Sequence, residues 1–329
     1  MNIPGKNHWP NNFHTMKIPA FEDIIDAHQL IKAFIHCTPV MTSTAINRIT
    51  GAEIFFKCEN LQKTGAFKFR GACNAVFSLT EEQAARGVGT HSSGNHAAAL
   101  ALAARMKGIQ AQIVMPSNSP EIKKKAVAGY GGIITYCEPT LQARETTLFK
   151  IAEETGIEII HPYNNFNVIA GQGTAAKELL EAIPHLDIVM CPVGGGGLLS
   201  GTSLSVKALS PSTKVIAAEP SGADDAYRSF KAGYIIPSIH PKTIADGLLT
   251  SLGEINFVII SKNVDDIVTV SEESIVQAMR MVWERMKLII EPSSAVPLAA
   301  ILENKEAFSN QRIGIILSGG NVDLGNLPF

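Results

Sequence analysis

Short apolar runs alternate with helically spaced segments along almost the whole chain. This alternation limits the fold more than any single motif does. Residues 52–57, 111–115, 132–136, 157–160, 187–191, 214–218 and 312–317 have the length and apolar content of buried strands. Residues 21–35, 95–107, 121–129, 140–155, 168–182, 198–209, 271–286 and 293–303 carry helical spacing. Strands separated by helices of this length pair in parallel, and parallel sheets need helices on their faces. The pattern predicts an α/β fold, parallel sheets flanked by helices. A chain of 329 residues is long enough for two lobes. No internal repeat is visible, which argues against a solenoid.

Charge and composition narrow the partners. The net charge of −2 gives no footing for nucleic acid or an anionic membrane. The one basic run, Lys123-Lys124-Lys125, is expected to be a solvated helix face. No stretch reaches the roughly 18–20 unbroken apolar residues of a membrane span. Residues 1–19 are polar and lack the apolar centre of a secretory signal, so they read as an extension. The five cysteines, Cys37, Cys58, Cys73, Cys137 and Cys191, form no CxxC and are expected to be buried thiols in a reducing cytoplasm. The expected partner is a small molecule.

In parallel α/β folds ligands sit beyond the carboxyl ends of strands, so the loops that follow strands are the places to look. Gly194, Gly195, Gly196 and Gly197 follow the strand at 187–191 and precede an apolar helix. Backbone N–H groups left uncovered at a helix start suit a phosphate. A dinucleotide site is a competing reading, because the next strand leads into Glu219. The spacing Gly195-x-Gly197-x-x-Ser200, however, has serine where the strict pattern has Gly or Ala. Ser92, Ser93, Asn95 and His96 precede another helix and form a donor cluster suited to a carboxylate; an ordinary helix cap explains them equally well. Glu219 and Asp225 could offer oxygen ligands to a hard cation, or merely begin a helix. Lys68 lies between two phenylalanines in Thr64-Gly-Ala-Phe-Lys-Phe-Arg-Gly71. A lysine buried there loses basicity, and its neutral amine can form a Schiff base with a carbonyl.

Taken in order, Gly65-Ala-Phe-Lys-Phe-Arg-Gly71, Ser92-Ser-Gly-Asn-His96, Gly194 to Gly197 and Ser318-Gly-Gly-Asn321 resemble the fold-type-II pyridoxal-phosphate enzymes over about residues 20–325. The resemblance is closest to the serine racemase and serine/threonine dehydratase family. It implies a two-lobed fold like the β-subunit of tryptophan synthase. Residues 1–80 and 164–329 would form the large cofactor-binding domain, with 81–163 inserted as a small one.

The resemblance also implies roles. Lys68 would carry the cofactor and act as base, with Phe67 beside it. Asn95 would meet the ring hydroxyl, and Ser318 the ring nitrogen. Gly194, Gly195, Gly196, Gly197 and Leu198 would cradle the phosphate. Ser92, Ser93, Asn95, His96 and Arg144 would receive the amino-acid substrate, and Ser93 would be the acid/base on the face opposite the lysine. Glu219, Ala223 through its carbonyl, and Asp225 match a site for Mg2+ (or Ca2+ or Mn2+). Lys63, Thr64 and Tyr130 match places linked to activation by ATP. His161-Pro-Tyr163 carries the tyrosine shared by plant-type racemases and dehydratases. No segment matches the regulatory C-terminal domain of biosynthetic threonine dehydratases, so control by isoleucine is not expected. A cytoplasmic homodimer is implied.

The expected reaction is interconversion of L- and D-serine with accompanying dehydration to pyruvate and ammonia. The alternative is a catabolic threonine/serine or 3-hydroxyaspartate dehydratase. An NAD-dependent oxidoreductase is the reading from outside the class.

Overall fold

The computed structural model describes residues 17–329, so most of the polar N-terminal extension lies outside the described residues. The strands are β1 (Val40–Met41), β2 (Glu53–Cys58), β3 (Val88–His91), β4 (Ala111–Pro116), β5 (Ile133–Cys137), β6 (Glu158–Ile159), β7 (Ile188–Pro192), β8 (Lys214–Pro220), β9 (Asp266–Val270) and β10 (Arg312–Leu317). They form a six-stranded sheet in the order β1-β2-β10-β7-β8-β9 and a four-stranded sheet in the order β5-β4-β3-β6. Every pairing is parallel except β1 with β2. The expected α/β architecture of parallel sheets is therefore present.

Alternation along the strands explains the core. On β7, Ile188 and Met190 join one apolar cluster while Val189 and Cys191 join another. Successive side chains point to opposite faces, so a strand buried on both sides must be apolar throughout. Helices Glu272–Met286 and Pro292–Glu303 cover the first face, and Phe166–Ala182 and Gly197–Leu209 the second. A third cluster joins helices Lys68–Phe77 and Asn95–Lys107 to the four-stranded sheet.

The placement of β10 matters most for the site. The last strand of the chain lies between β2 and β7, with Leu317 level with Cys58 and Ile315 level with Met190. The loops carrying Lys68, Gly194 and Ser318 thus leave the same edge of one sheet.

Several local expectations change. The first helix is Phe21–Ile31 and stops short of residue 35, where the chain turns with Phe34 N–H on Ile31 O. Helices Thr44–Thr50, Lys68–Phe77 and Glu254–Asn263 and strand β9 add to the expected elements, and packing supplies much of their stability. Cys58, Cys73 and Cys191 are buried, but Cys37 is exposed and Cys137 half-buried; all five are free thiols. Nor is the lysine run a uniformly solvated face. Lys123 pairs with Asp246 at 2.5 Å and Lys124 with Glu121 at 2.8 Å, leaving only Lys125 exposed. No helix of the described residues is long and apolar enough to cross a membrane.

Candidate active site

Lys68 is the first residue of the Lys68–Phe77 helix. Thr64 and Gly65 adopt left-handed φ values of 60° and 73° and turn the chain into it. A Cβ on Gly65 would lie 2.5 Å from Asn321 Oδ1, so only glycine allows this approach. Phe67 N–H donates to Ser318 O at 2.9 Å, which ties the lysine's helix to the loop after β10. The lysine is half-buried as a residue, with its charged end inside, and Nζ donates to Pro162 O at 2.8 Å. Burial of the ammonium lowers its pKa to about 8, with Glu291 partly opposing the shift. About a tenth of the amine is therefore neutral at pH 7, far more than for a solvated lysine.

Three histidines lie near the site: His96 and His161 feel the charge of Lys68, and the His91 ring meets that of His161. Burial lowers His91 to about 4, helped by the charge of Arg144, and His96 to about 3, helped by Lys68. Burial also takes His161 well below its usual value. All three are neutral in the physiological range. His91 is 7% exposed and neither ring nitrogen has a hydrogen-bond partner among the described residues.

His96 Nε2 lies 3.3 Å from Ile160 O. A carbonyl only accepts, so that nitrogen carries the proton and Nδ1 is left as an acceptor. The ring cannot donate to a carboxylate, and what His96 offers an anion is its backbone N–H near the helix start.

The donor cluster begins at the end of β3. Ser92 and Ser93 are half-buried, and Asn95 opens the Asn95–Lys107 helix. Asn95 Nδ2 lies 2.9 Å and 3.1 Å from the two carboxylate oxygens of Glu291, and its Oδ1 accepts from Asn321 Nδ2 at 2.9 Å. Glu291 also accepts from Asn321 N–H at 3.2 Å. Burial raises its pKa to about 7, reinforced by Asp246 and opposed by Asn95. The sequence reading did not single out Glu291. Its only local signal is an acid before Pro292 at a helix start, which is ordinary. Ser294 was also missed; its Oγ lies 3.1 Å from Ser318 Oγ and donates to Gly319 O at 2.7 Å.

The four-glycine loop leads from β7 into the Gly197–Leu209 helix, where Leu198 is buried. Gly196 has φ 91°. A Cβ on Gly195 would meet the Tyr163 ring at 2.5 Å. The loop backbone is bare where a helix start favours an anion, so it fits a phosphate.

Arg144 lies on the Leu141–Thr155 helix, close enough to His91 and Tyr163 to shift both electrostatically. Its Nε is buried with no partner among the described residues.

Glu219 and Asp225 are fully buried at the end of β8 and the start of the Asp225–Ala232 helix, with buried Ala223 between them. Glu219 accepts from Ala226 and Tyr227 N–H at 3.0 and 2.8 Å. Neither oxygen of Asp225 makes a hydrogen bond of good geometry among the described residues, although the Ser238 side chain and the Leu252 backbone approach closely enough to lower its pKa. Burial raises Glu219 to about 9 and Asp225 to about 6. A poorly satisfied buried carboxylate beside a second one fits a hard cation. No cluster of three or more acidic, histidine or cysteine side chains that could hold a metal occurs among the described residues.

Thr64 and Tyr130 both line a cavity of about 360 Å³ beside Asn95, spanned by the Lys123–Asp246 pair. Lys63 is not on its wall; its ammonium lies 6.0 Å from the Phe69 ring centre.

Residues 31–319 match the family described as pyridoxal-phosphate dependent enzyme. The chain is 55% identical to a β-hydroxyaspartate dehydratase of Paracoccus denitrificans (strain Pd 1222) across 95% of this chain and 100% of that protein. The crystal structure of serine racemase from Dictyostelium discoideum superposes with a TM-score of 0.89 at 52% identity, covering 93% of this chain and 99% of that one. Maize serine racemase gives 0.92 at 47% identity, with 94% and 95% covered.

Proposed function

Because the chain belongs to the pyridoxal-phosphate-dependent enzymes, we propose that it acts on free β-hydroxy amino acids, racemising and dehydrating serine, with Lys68 as the central group. When bound, pyridoxal phosphate supplies a covalent hold on the substrate amino group and a sink for the electrons left at Cα. The observation that carries the reading is Lys68 itself. It is a lysine with a pKa near 8 at the start of a helix, on the sheet edge shared with the glycine loop and Ser318.

In this reading the remaining residues bind, orient and move protons. Gly194, Gly195, Gly196, Gly197 and Leu198 hold the phosphate at a helix start. Ser318, fixed by Ser294, would meet the ring nitrogen, and Phe67 and Asn95 would lie beside the ring. A hydroxyl there, unlike a carboxylate, would not hold a proton on that nitrogen, so the sink would be the weaker one. Ser92, Ser93 and the backbone N–H of His96 receive the substrate carboxylate. Lys68 takes the α-proton, and Ser93 returns one from the opposite side when serine is racemised. Glu219, Asp225 and the carbonyl of Ala223 hold a divalent cation.

A second reading, dehydration of 3-hydroxyaspartate, is favoured by one observation. Arg144 has a buried Nε without a partner beside a neutral, unpartnered His91, a fitting site for a second carboxylate.

The test is turnover of L-serine followed by a chiral assay and keto-acid detection, with 3-hydroxyaspartate in parallel. D-serine and pyruvate together support the first reading, and no turnover of serine would overturn it. Ser93→Ala should abolish racemisation and spare elimination. Arg144→Gln should raise KM for 3-hydroxyaspartate roughly tenfold or more, the worth of a lost charge-assisted hydrogen bond, while leaving serine unaffected.

A further inference from the structure

Two residues beyond Lys68, the same helix carries a charge that the proposed chemistry does not use. Arg70 is 0% exposed, Glu59 0%, Lys57 1% and Glu178 7%. Arg70 Nε and Nη2 donate to the two oxygens of Glu59 at 2.7 and 2.8 Å. Its Nη1 and Nη2 donate to the two oxygens of Glu178, both at 2.7 Å. Nη1 also reaches Thr174 Oγ1 at 3.1 Å, and Nη2 reaches His36 O at 3.4 Å. Lys57 completes the cluster, donating to Glu178 at 2.5 Å and to Thr38 O at 2.7 Å.

Stability alone does not account for such a cluster. Buried ion networks lose so much solvation that apolar replacements of similar volume are often neutral or stabilising. Direct electrostatics does not account for it either. The two cations and two anions sum to zero, and none of the four is among the groups that shift Lys68.

Geometry does account for it. Residues 68 and 70 are about 200° apart around a helix of 3.6 residues per turn, so Lys68 and Arg70 project on opposite sides. Elsewhere the contact with helix Phe166–Ala182 combines close glycine approaches with two single hydrogen bonds, Gly71 N–H to Gln172 Oε1 at 3.1 Å and Asn74 Nδ2 to Asn167 O at 2.8 Å. A Cβ on Gly71 would lie 2.4 Å from Gln172 Nε2, and one on Gly171 2.7 Å from Arg70 O. The glycines bring the backbones together, and the two single hydrogen bonds can pivot as the helix turns. The planar guanidinium held on both edges by carboxylates does oppose it.

We propose that Arg70, locked by Glu59, Glu178 and Lys57, is a positioning residue that sets the rotation of the Lys68–Phe77 helix and so the place of the lysine amine. This rests on Lys68 being the cofactor lysine. A turn of about 10° at roughly 6 Å from the axis moves a side-chain atom by about 1 Å, and a misplacement of that size can lower a rate about a hundredfold.

Two variants of the holoenzyme test this. Arg70→Lys keeps the charge and loses the fork. The combination Lys57→Met, Glu59→Leu, Arg70→Met and Glu178→Leu makes the cluster apolar. Thermal midpoint, cofactor content, the visible band of lysine-linked cofactor, kcat and KM are measured for each. The expected result is a kcat at least tenfold lower in both variants, with a shifted or weakened band, near-native midpoint and cofactor content, and KM within about threefold. Native kcat and band in either folded variant overturns the proposal. So does a loss of kcat that merely tracks loss of midpoint and cofactor. If the apolar variant does not fold, Arg70→Lys decides by the same criteria. Wild-type protein without the band would overturn the cofactor reading and this proposal with it, an outcome distinct from variants that match a normal wild type.

Discussion

Asn95 and Glu291, 196 residues apart in sequence, meet with the amide Nδ2 at 2.9 and 3.1 Å from the two carboxylate oxygens. The pair joins the start of the Asn95–Lys107 helix to the start of the Pro292–Glu303 helix. Glu291 is also the one group that raises the pKa of Lys68 against its burial.

Glu291→Gln removes that negative charge, so the Lys68 amine should titrate below its present value of about 8. Cofactor-free protein captures an aldehyde through the neutral amine, so the inflection in its capture rate against pH should move to lower pH. The variant should also lose about tenfold in kcat, the worth of one hydrogen bond to a charged group. An inflection that stays in place would contradict the electrostatic link.

Gly195→Ala places a Cβ 2.5 Å from the Tyr163 ring, and either the loop or the ring must move. Cofactor affinity should fall at least tenfold, since the bare backbone is what would meet the phosphate. Adding Tyr163→Ala should recover part of the loss. Fluorescence titration of cofactor into the cofactor-free variants checks both, and undiminished affinity in the single variant would contradict the assignment.

The buried acids give a pH dependence of definite sign. Glu219 is raised to about 9 and Asp225 to about 6, so each favours the folded state most in its protonated form. Their contribution is complete below the unfolded carboxylate range near pH 4. It is lost as pH rises, through about 6 for Asp225 and about 9 for Glu219. Cation-free protein should therefore melt at lower temperature as pH rises across this window. A bound divalent cation requires the carboxylates, so the gain in melting temperature on adding Mg2+ should grow with pH to a few degrees. A gain independent of pH in melting scans would argue against these two acids as ligands.

Much of this was legible in the sequence, for reasons particular to each part. β7 and β10 are buried on both faces, so they appear as unbroken apolar runs. The glycines stand where a side chain would strike Leu248, Tyr163 or Asn256, so a glycine run marks close approach. Lys68 is conspicuous because phenylalanines flank it. What stayed hidden depends on contacts between distant segments. Glu291 looks like an ordinary acid before a helix-opening proline until β10 brings Asn95 and Asn321 to it. Arg70 and Lys57 look like surface charges until Glu59 and Glu178 meet them. The two-residue strand β1 is too short for any periodicity to announce it.

The central claim is that Lys68 carries the cofactor, and borohydride reduction of the holoenzyme followed by peptide mass spectrometry tests it most directly. The account predicts a phosphopyridoxyl group on Lys68 alone, with Lys68→Ala unlabelled and inactive toward both racemisation and elimination. A label on a different lysine, or a Lys68→Ala protein that still turns over serine, would contradict it.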